Sequence, residues 1–280
     1  MKIHVVYAFA KDGIGGNPAG VVLCPSPLSS ETMQSVAAAA GYSETAFIEV
    51  IDNNTQRIRF FAPSKEVALC GHATVASYSW LFQQNHIPQG AHTMLCKAGP
   101  QQIIVEEDGS ISMSQNLPTF GPKISPQEVL HALGIQGAQL HPTLPIQVAS
   151  TGLNKIFVPL RSISDLHSII PNQEEIARVS MQNNAIGMYC YTRETLHKST
   201  AHCRNFAPVV GIMEDSATGT SAAALSTLLH HFGVFPNQQD LNLTYEQGYA
   251  IDTPAELYVR LEQTDGNITA VWVRGFAYFS

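Results

Sequence analysis

Short apolar runs alternate with turn residues along most of the chain, and this pattern predicts a structure rich in β-strands. The runs contain many Val, Ile, Tyr and Phe residues, which fit well on the surface of a sheet. The predicted strands cover residues 3–8, 19–24, 45–51, 57–61, 102–106, 155–160, 185–191, 256–262 and 268–274.

Helix signals are fewer and fall into two kinds. Surface helices with start and stop signals are predicted at residues 30–40, 126–133 and 173–179. The second of these has the fullest set, because Ser125 and Glu128 form a capping box and Gly134 follows the last turn. Residues 72–84 and 220–232 are instead apolar or small nearly all round, which is typical of a buried helix. Two buried helices among many strands indicate an α+β fold rather than alternating βαβ units.

A sequence repeat links the two buried helices. Arg59–Pro63 and Arg204–Pro208 share the pattern R-x-F-A-P at an offset of 145 residues. Each copy is followed by a glycine that opens a buried helix, and Gly71 and Gly219 are 148 residues apart. The difference of three residues is one small insertion. Motif, spacing and helix together favour an internal duplication over chance similarity.

Composition narrows the class of partner. The chain has 280 residues, which predicts about two domains. Only 13% of the residues are charged, the formal charge is −7, and no cluster of Lys or Arg occurs, so nucleic acid is not expected as a partner. No run of 18 apolar residues and no signal peptide are found, and the five cysteines form no CxxC pair. We expect a cytoplasmic protein with reduced thiols, away from the membrane.

The stretch from Leu117 to Pro126 holds three prolines and a glycine and is the best linker candidate. It divides the chain into an N-terminal lobe of residues 1–117, to which residues 268–280 return, and a C-terminal lobe of residues 118–267.

The two helix starts suggest how an acidic ligand is held. The first N–H groups of a helix are unpaired and carry a partial positive charge, so they attract carboxylates. Glycine allows a ligand to approach the backbone closely. If the two halves face one another, the helices that begin at Gly71 and Gly219 hold a small carboxylic acid without any Lys or Arg.

Three ionisable residues lie near these helix starts: Glu44 between a helix and an apolar strand, His72 in the first turn of one buried helix, and Asp215 just before the other. Carboxylates and imidazoles are the usual groups for proton transfer. Each also has an ordinary interpretation, since Glu44 can be a solvated turn residue, Asp215 a helix cap and His72 a first-turn histidine.

Cys70 precedes a helix N-terminus, where thiolates become more reactive. A racemase with two thiol bases needs a second cysteine at the matching position, and that position is Thr218. The favoured interpretation of Cys70 is therefore a small packing residue.

Taken together, these motifs resemble the PhzF (phenazine biosynthesis-like) family, over nearly the whole chain. The similar segments are Gly15-Gly16-Asn17-Pro18-Ala19-Gly20, Ser43-Glu44-Thr45, Arg59-x-Phe61-x-Pro63, Gly71-His72-Ala73-Thr74, Ser150-Thr151-Gly152, Glu214-Asp215-x-Ala217-Thr218-Gly219 and Glu246-Gln247-Gly248.

The resemblance implies a fold and a chemistry. The fold is that of diaminopimelate epimerase-like proteins: two similar lobes, each a β-barrel wrapped around a central buried α-helix, with the active site in the cleft between them. The chemistry is that of an isomerase without cofactor or metal, in which an acidic side chain moves a proton between carbons of a small cyclic or amino-acid-like carboxylate. A homodimer is also expected.

The resemblance also assigns roles by motif. Glu44 becomes the general acid/base, while His72 and Asp215 orient the substrate and assist proton relay. The substrate is bound through backbone N–H and hydroxyl groups of Gly71, Gly219 and Thr220. Two departures affect substrate choice: Thr220 stands where the family commonly has Ser, and residues 251–255 replace a Gly-Arg-Pro-Ser run that includes a possible anion anchor.

Two alternatives stay open. One is an enzyme similar to proline racemase or hydroxyproline dehydratase that uses Cys70, since that family has comparable segments at Cys70–His72 and at Asp215–Thr220. The other is a binding protein that keeps the cleft and has lost turnover.

Overall fold

A strand-wrapped helix occurs twice in the chain, once in each of two units. In the computed structural model the units comprise Met1–Ser114 with Arg274–Ser280, here the N-terminal unit, and Gln115–Val273, the C-terminal unit. The sequence predicts these boundaries after residue 117 and before residue 268. The structure describes residues 2–235 and 240–279. Residues 1, 236–239 and 280 belong to the predicted lobes and lie outside the described residues.

The described residues form eighteen strands and six α-helices. Those that begin in the N-terminal unit are β1 His4–Ala8, β2 Asn17–Leu23, α1 Ser30–Ala40, β3 Thr45–Val50, β4 Thr55–Phe61, β5 Glu66–Val67, α2 Gly71–Gln83, β6 Gly90–Cys96, β7 Gly99–Val105 and β8 Ile111–Gln115.

Those that begin in the C-terminal unit are β9 Thr119–Lys123, α3 Pro126–Leu133, β10 Gln147–Ser150, β11 Lys155–Pro159, α4 Ile163–His167, α5 Gln173–Gln182, β12 Met188–Thr192, β13 Ala201–Ala207, β14 Ile212–Asp215, α6 Gly219–His231, β15 Asp240–Gln247, β16 Ala255–Thr264 and β17 Asn267–Gly275. The last strand, β18 Ala277–Tyr278, pairs with β1 of the N-terminal unit.

The two units repeat one ladder of strand pairs. In the N-terminal unit β1–β2 is antiparallel, β2–β3 parallel, β3–β4 and β4–β5 antiparallel, β4–β6 parallel and β6–β7 antiparallel. In the C-terminal unit β10–β11, β11–β12, β12–β13, β13–β14, β13–β15 and β15–β16 follow the same order with the same directions. The predicted α+β fold of two similar lobes is confirmed.

The helices α2 and α6 are the buried centres of their units. Each has 13 residues, and nine consecutive ones are buried in each, Ala73–Leu81 in α2 and Ser221–Leu229 in α6. One buried serine in each helix bonds to its own helix: Ser77 Oγ donates to Ala73 O at 2.6 Å, and Ser226 Oγ to Ala222 O at 2.9 Å. Small side chains let the surrounding strands pack closely, and satisfied hydroxyls remove the cost of burying them. Among the described residues, no helix combines the length and apolar character needed to cross a membrane.

The two copies of the R-x-F-A-P motif make the same side-chain contacts. Arg59 Nε donates to Glu66 Oε1 at 2.8 Å, and its guanidinium lies 5.1 Å from the centre of the Phe61 ring. In the other copy Arg204 donates to both carboxylate oxygens of Glu214, at 2.9 and 2.8 Å, and lies 5.0 Å from the Phe206 ring. The same ion pair thus joins β5 to β4 and β14 to β13, and the same cation–π contact lies within β4 and within β13.

The predicted linker is partly wrong. Residues 119–123 form the strand β9, whose Phe120 and Lys123 pair with Ala149 and Gln147 of β10. The register shifts between these pairs. Proline is tolerated in strands at bulges and edges, so Pro122 does not prevent pairing here.

Candidate active site

Glu44 is held at the junction of α1 and β3. The helix ends at Gly41, whose left-handed backbone turns the chain toward the strand. Glu44 O accepts a hydrogen bond from Gly20 N at 3.1 Å, which fixes the backbone of Glu44 to β2. Its Oε2 atom is buried and has no hydrogen-bond partner among the described residues. The imidazole of His72 lies beside it, with Oε2 and Nε2 3.4 Å apart.

His72 lies in the first turn of α2 and brings three kinds of side chain together. Its Nε2 atom is 3.4 Å from Glu44 Oε2 and 3.3 Å from Ser43 Oγ. Its Nδ1 atom is 3.4 Å from Cys70 Sγ. The predicted pair Glu44 and His72 is therefore brought together, and a thiol joins it. We refer to Glu44, Cys70 and His72 as the N-terminal cluster.

The start of α2 is open for a ligand. The side chain of Cys70, at the N-cap position, makes no capping hydrogen bond to the helix. Apart from its two chain neighbours and the backbone of α2, no atom lies within 4 Å of the place where a Cβ would stand on Gly71. The first N–H groups of a helix lack intrahelical partners and carry partial positive charge. This geometry fits the predicted role of Gly71 in binding a carboxylate, and the role stays a prediction.

Asp215 is the centre of a second group, within the C-terminal unit. Thr218 Oγ1 donates to Asp215 Oδ2 at 2.5 Å and accepts from Asn205 Nδ2 at 2.9 Å. Gln247 Nε2 donates to Asp215 O at 2.7 Å and to Thr218 Oγ1 at 3.1 Å. With Lys155, these residues are referred to as the C-terminal cluster. Its members come from β11, β13, β14 and β15 and from the residue before α6.

Lys155 is a buried lysine outside every motif that points to the site. Its side chain lies at the start of β11, and its Nζ atom donates to Asn205 Oδ1 at 2.7 Å and to Phe206 O at 3.3 Å. The residue is 3% exposed. Burial lowers the pKa of Lys155 to about 7, although the negative charge of Asp215 opposes the shift. A single lysine at the head of an otherwise apolar strand was the available signal.

The start of α6 resembles that of α2. The side chain of Thr218 does not cap the helix, and its oxygen instead accepts hydrogen bonds from Asn205 and Gln247. Thr151 Oγ1 donates to Thr220 O at 3.1 Å, so the Ser-Thr-Gly motif holds the first turn of α6. A Cβ on Gly152 would stand 3.3 Å from Thr220 Cγ2, so a larger residue there would press against the first turn of α6.

The three residues of the Glu-Gln-Gly motif have different structural contacts. Glu246 is fully buried and accepts hydrogen bonds from His202 Nδ1 at 2.7 Å and from the backbone N–H of His197 at 2.7 Å. Burial alone would raise its pKa, but these donors lower the pKa of Glu246 to about 2. Gln247 serves the C-terminal cluster. Gly248 has φ of +84°, and a Cβ there would lie 2.1 Å from Thr253 O.

Glu214 and Asp215 are neighbours with different partners. Glu214 pairs with the guanidinium of Arg204, as described above, and Asp215 with the hydroxyl of Thr218. The role of Asp215, like those of Glu44, His72, Gly71, Gly219 and Thr220, stays a prediction, as does the placement of both clusters in one cleft.

Comparison with known proteins identifies a family. The family model described as phenazine biosynthesis-like protein matches residues 6–280. The chain is 33% identical to an uncharacterized isomerase of Bacillus subtilis, over 98% of this chain and 94% of that protein. It is 29% identical to trans-2,3-dihydro-3-hydroxyanthranilate isomerase of Pseudomonas aeruginosa, over 97% of this chain and 94% of that protein. A crystal structure of a PhzF family phenazine biosynthesis protein of Bacillus anthracis matches with a TM-score of 0.90 at 28% identity, over 100% of this chain and 97% of that one.

Proposed function

Because the chain belongs to the phenazine biosynthesis-like protein family, a family of isomerases, we propose that it moves a proton between two carbons of a small cyclic or amino-acid-like carboxylate. Glu44 is the general acid/base of this reaction. It needs no cofactor, because the proton leaves and returns within one substrate and no electrons are transferred to another molecule.

The observation that carries the proposal is the state of Glu44 Oε2. A general base needs an unengaged lone pair within reach of the substrate, and it works best where water is excluded. Glu44 Oε2 is buried without a hydrogen-bond donor among the described residues, and the imidazole of His72 is 3.4 Å away. An exposed turn carboxylate would instead be hydrated.

The reaction begins with Glu44 in its carboxylate form. It removes a proton from a carbon next to an electron-withdrawing group, the bonding electrons shift within the substrate, and the protonated Glu44 gives the proton to a second carbon. His72 orients the carboxylate of Glu44 and assists the transfer. The substrate's own carboxylate is held by the N–H groups at the start of α2, with Gly71 leaving room for its approach.

In the C-terminal unit, Asp215 has the corresponding task of orientation and relay. Thr218 and Gln247 hold its side chain and its backbone, as their hydrogen bonds of 2.5 and 2.7 Å show. Gly219 and Thr220 supply backbone N–H groups and a hydroxyl at the start of α6. The methyl group of Thr220 narrows the space for substrate relative to serine.

The low charge of the chain and the substrate of one relative indicate the class of substrate. Helix starts bind carboxylates without cationic side chains, which agrees with a chain of only 13% charged residues. The relative from Pseudomonas aeruginosa acts on trans-2,3-dihydro-3-hydroxyanthranilate, a cyclic carboxylate. Cyclic amino carboxylates of this kind are the first compounds to test.

The test is proton exchange in heavy water. A panel headed by trans-2,3-dihydro-3-hydroxyanthranilate is incubated with the protein, and deuterium at carbon is measured by mass spectrometry. Glu44→Gln is expected to lower exchange at least about 100-fold while keeping ligand affinity. Glu49→Gln, on the strand that follows Glu44 and in an exposed ion pair with Arg57, is the matched control and keeps the wild-type rate. Exchange by Glu44→Gln at the wild-type rate would remove Glu44 from this role.

One observation supports a second candidate, a racemase-like reaction with Cys70 as the base. Cys70 Sγ lies 3.4 Å from His72 Nδ1, which is a geometry that can activate a thiol. Thr218 at the matching position is too weak an acid to serve as the second base. Cys70→Ser separates the candidates, because it retains most exchange when Glu44 is the base and abolishes it when Cys70 is.

A further inference from the structure

We propose that Glu44, Cys70 and His72 form a binding site for a thiophilic divalent cation such as Zn²⁺. Among the described residues, these three are the group whose carboxylate oxygen, thiol sulfur and imidazole nitrogen all lie within 4.8 Å of one another. The cation would occupy the side chains that the proposed reaction uses. The inference that it inhibits therefore rests on the proposed function, whereas the inference that it binds does not.

The spacing of the ligand atoms fits tetrahedral zinc. Zinc binds sulfur at about 2.3 Å and nitrogen or oxygen at about 2.0–2.2 Å, so ligand atoms at two corners of a tetrahedron lie about 3.3–3.6 Å apart. In the N-terminal cluster His72 Nε2 is 3.4 Å from Glu44 Oε2 and 3.8 Å from Cys70 Sγ. All three ligand atoms lie within 4.8 Å of one another, and rotations of the His72 ring and the Cys70 side chain bring them onto one ion. The fourth position remains for water.

Charge and chemistry point to the same ion. The carboxylate of Glu44 and a thiolate at Cys70 together neutralise a divalent cation, and the thiol proton is released to solvent on binding. A set of one nitrogen, one sulfur and one oxygen suits zinc, while magnesium and calcium prefer oxygen ligands alone. Glu44 Oε2 is moreover a buried atom without a hydrogen-bond donor among the described residues, so a cation would satisfy it.

Access and burial are also suitable. Cys70 is 8% exposed, and the side chains of His72 and Glu44 are 10% and 14% exposed. The site is thus reachable from solvent, yet dry enough to strengthen electrostatic attraction. A bound cation takes the lone pair of Glu44 Oε2 and the Nε2 atom of His72. Proton transfer by Glu44 stops until the ion leaves.

Thr218, at the position in the C-terminal unit that corresponds to Cys70, shows why the thiol matters for metal binding. Cys70 and Thr218 both precede the glycine that opens a central helix. The hydroxyl of Thr218 bonds to Asp215, and a neutral threonine hydroxyl is a poor ligand for zinc. We therefore assign the cation site to the N-terminal cluster alone. The thiol of Cys70, which the proposed reaction does not need, acquires a use there.

The binding test uses the full chain kept reduced. Zn²⁺ and Mg²⁺ are titrated by calorimetry, and Co²⁺ is added as a spectroscopic substitute whose thiolate charge-transfer band reports a sulfur ligand. We expect one tight site for Zn²⁺, none for Mg²⁺, and the cobalt–thiolate band. Cys70→Ser abolishes the band and weakens Zn²⁺ binding at least about tenfold, since even changes outside the ligand set cost 10- to 100-fold. Cys96→Ser, which removes a part-exposed thiol elsewhere in the same unit, changes neither.

The outcomes are separable from those of the proposed function. Equal Zn²⁺ affinity in wild type, Cys70→Ser and Cys96→Ser would overturn the site, as would equal binding of Mg²⁺. Inhibition is then read from proton exchange in heavy water, each variant against its own metal-free rate. The Zn²⁺ concentration for half inhibition is expected to rise at least about tenfold in Cys70→Ser. If Glu44→Gln still catalysed exchange, the proposed function would fail while the binding test stood unaffected.

Discussion

Thr218 Oγ1 donates a hydrogen bond of 2.5 Å to Asp215 Oδ2, and the same hydroxyl accepts from Asn205 and Gln247. The threonine is thus the junction through which β13 and β15 reach a single carboxylate. Its counterpart in the other half, Cys70, contacts the ring of His72. In each unit the residue before the central helix therefore touches the predicted ionisable residue.

We expect Thr218→Val to disable Asp215 without disturbing the fold. Valine has the shape of threonine but no hydroxyl, so Asp215 loses a donor and Asn205 an acceptor. Removing a buried hydrogen-bond partner of this kind costs about 1–3 kcal/mol. The exchange rate at saturating substrate should fall about 10- to 100-fold, in line with a lost orienting contact. Thr218→Ser keeps the hydroxyl and should retain most of the rate.

The control measurement is the unfolding midpoint in urea. Because Thr218 acts through Asp215, the Val variant should also change the pH profile of exchange, whereas a purely structural role would alter stability alone. An unchanged pH profile with a reduced midpoint would contradict the positioning role.

Local signals predicted much of the fold. The helix predicted at residues 126–133 is observed as Pro126–Leu133, and Glu128 accepts a hydrogen bond from Ser125 N as the capping box requires. The buried helices begin one residue earlier than predicted, at Gly71 and Gly219. These elements were readable because caps and small-residue faces act within a few positions of sequence.

The strand β13 was absent from the predicted strands for a physical reason. All seven of its residues are buried, and His202, Arg204 and Asn205 interrupt any apolar run or alternation. Their partners Glu246, Glu214 and Lys155 stand 10 to 50 residues away in sequence. Buried polar residues satisfied by distant partners leave no periodic pattern.

The same reason separates the two clusters of the site. Glu44 and His72 were predicted because each stands in a recognisable short motif. Lys155, Asn205 and Gln247 were not predicted as site residues, because their contacts join four strands that are distant in sequence. Nothing beside Lys155 in sequence indicates that its ammonium ends on an amide oxygen 50 residues away.

We expect Lys155 to make the free energy of unfolding rise as the pH increases above 7. Its pKa is about 7 in the folded chain, against a usual value of 10.5. Below pH 7 both states hold the proton, and the full cost of burying the ammonium applies. Between pH 7 and 10.5 the unfolded chain keeps a proton that the folded chain has released, so stability rises with pH.

Lys155→Met removes this dependence. Between pH 7 and pH 9.5, the unfolding free energy of wild type should rise relative to Lys155→Met by about 3 kcal/mol. Lys123→Met, at an exposed lysine of β9, is the control and should parallel wild type. Parallel curves for wild type and Lys155→Met would show that the Lys155 ammonium is not perturbed in the folded state.

Glu246 should act in the opposite range. The pKa of Glu246 is about 2 in the folded chain, against a usual value of 4.5. Burial raises this pKa, but the hydrogen bonds donated by His202 and by backbone N–H groups outweigh that effect. The stabilisation is fully present above pH 4.5 and is lost as the pH falls toward 2. We expect Glu246→Gln to lose on the order of 3 kcal/mol at pH 6 and much less at pH 2.5. Glu262→Gln, in a surface pair with Arg260, should change the unfolding free energy at pH 6 by less than about 1 kcal/mol.

Two glycines of the C-terminal unit separate backbone strain from steric clash. Gly248 and Gly266 have φ of +84° and +77°, so alanine is strained at both by about 1–2 kcal/mol. Around Gly266 no atom lies within 4 Å of the Cβ position, whereas at Gly248 that position is 2.1 Å from Thr253 O and 2.8 Å from Ser216 O. Gly248→Ala must therefore displace the backbone beside Gln247, which holds Asp215.

We expect Gly248→Ala to lower the unfolding free energy by at least about 3 kcal/mol, since both backbone strain and displacement contribute. It should also lower the rate of proton exchange. Gly266→Ala should lose only the strain energy and keep the wild-type exchange rate. Equal unfolding free energies for the two variants in urea would show that the turn after β15 yields without cost and that Gln247 does not depend on it.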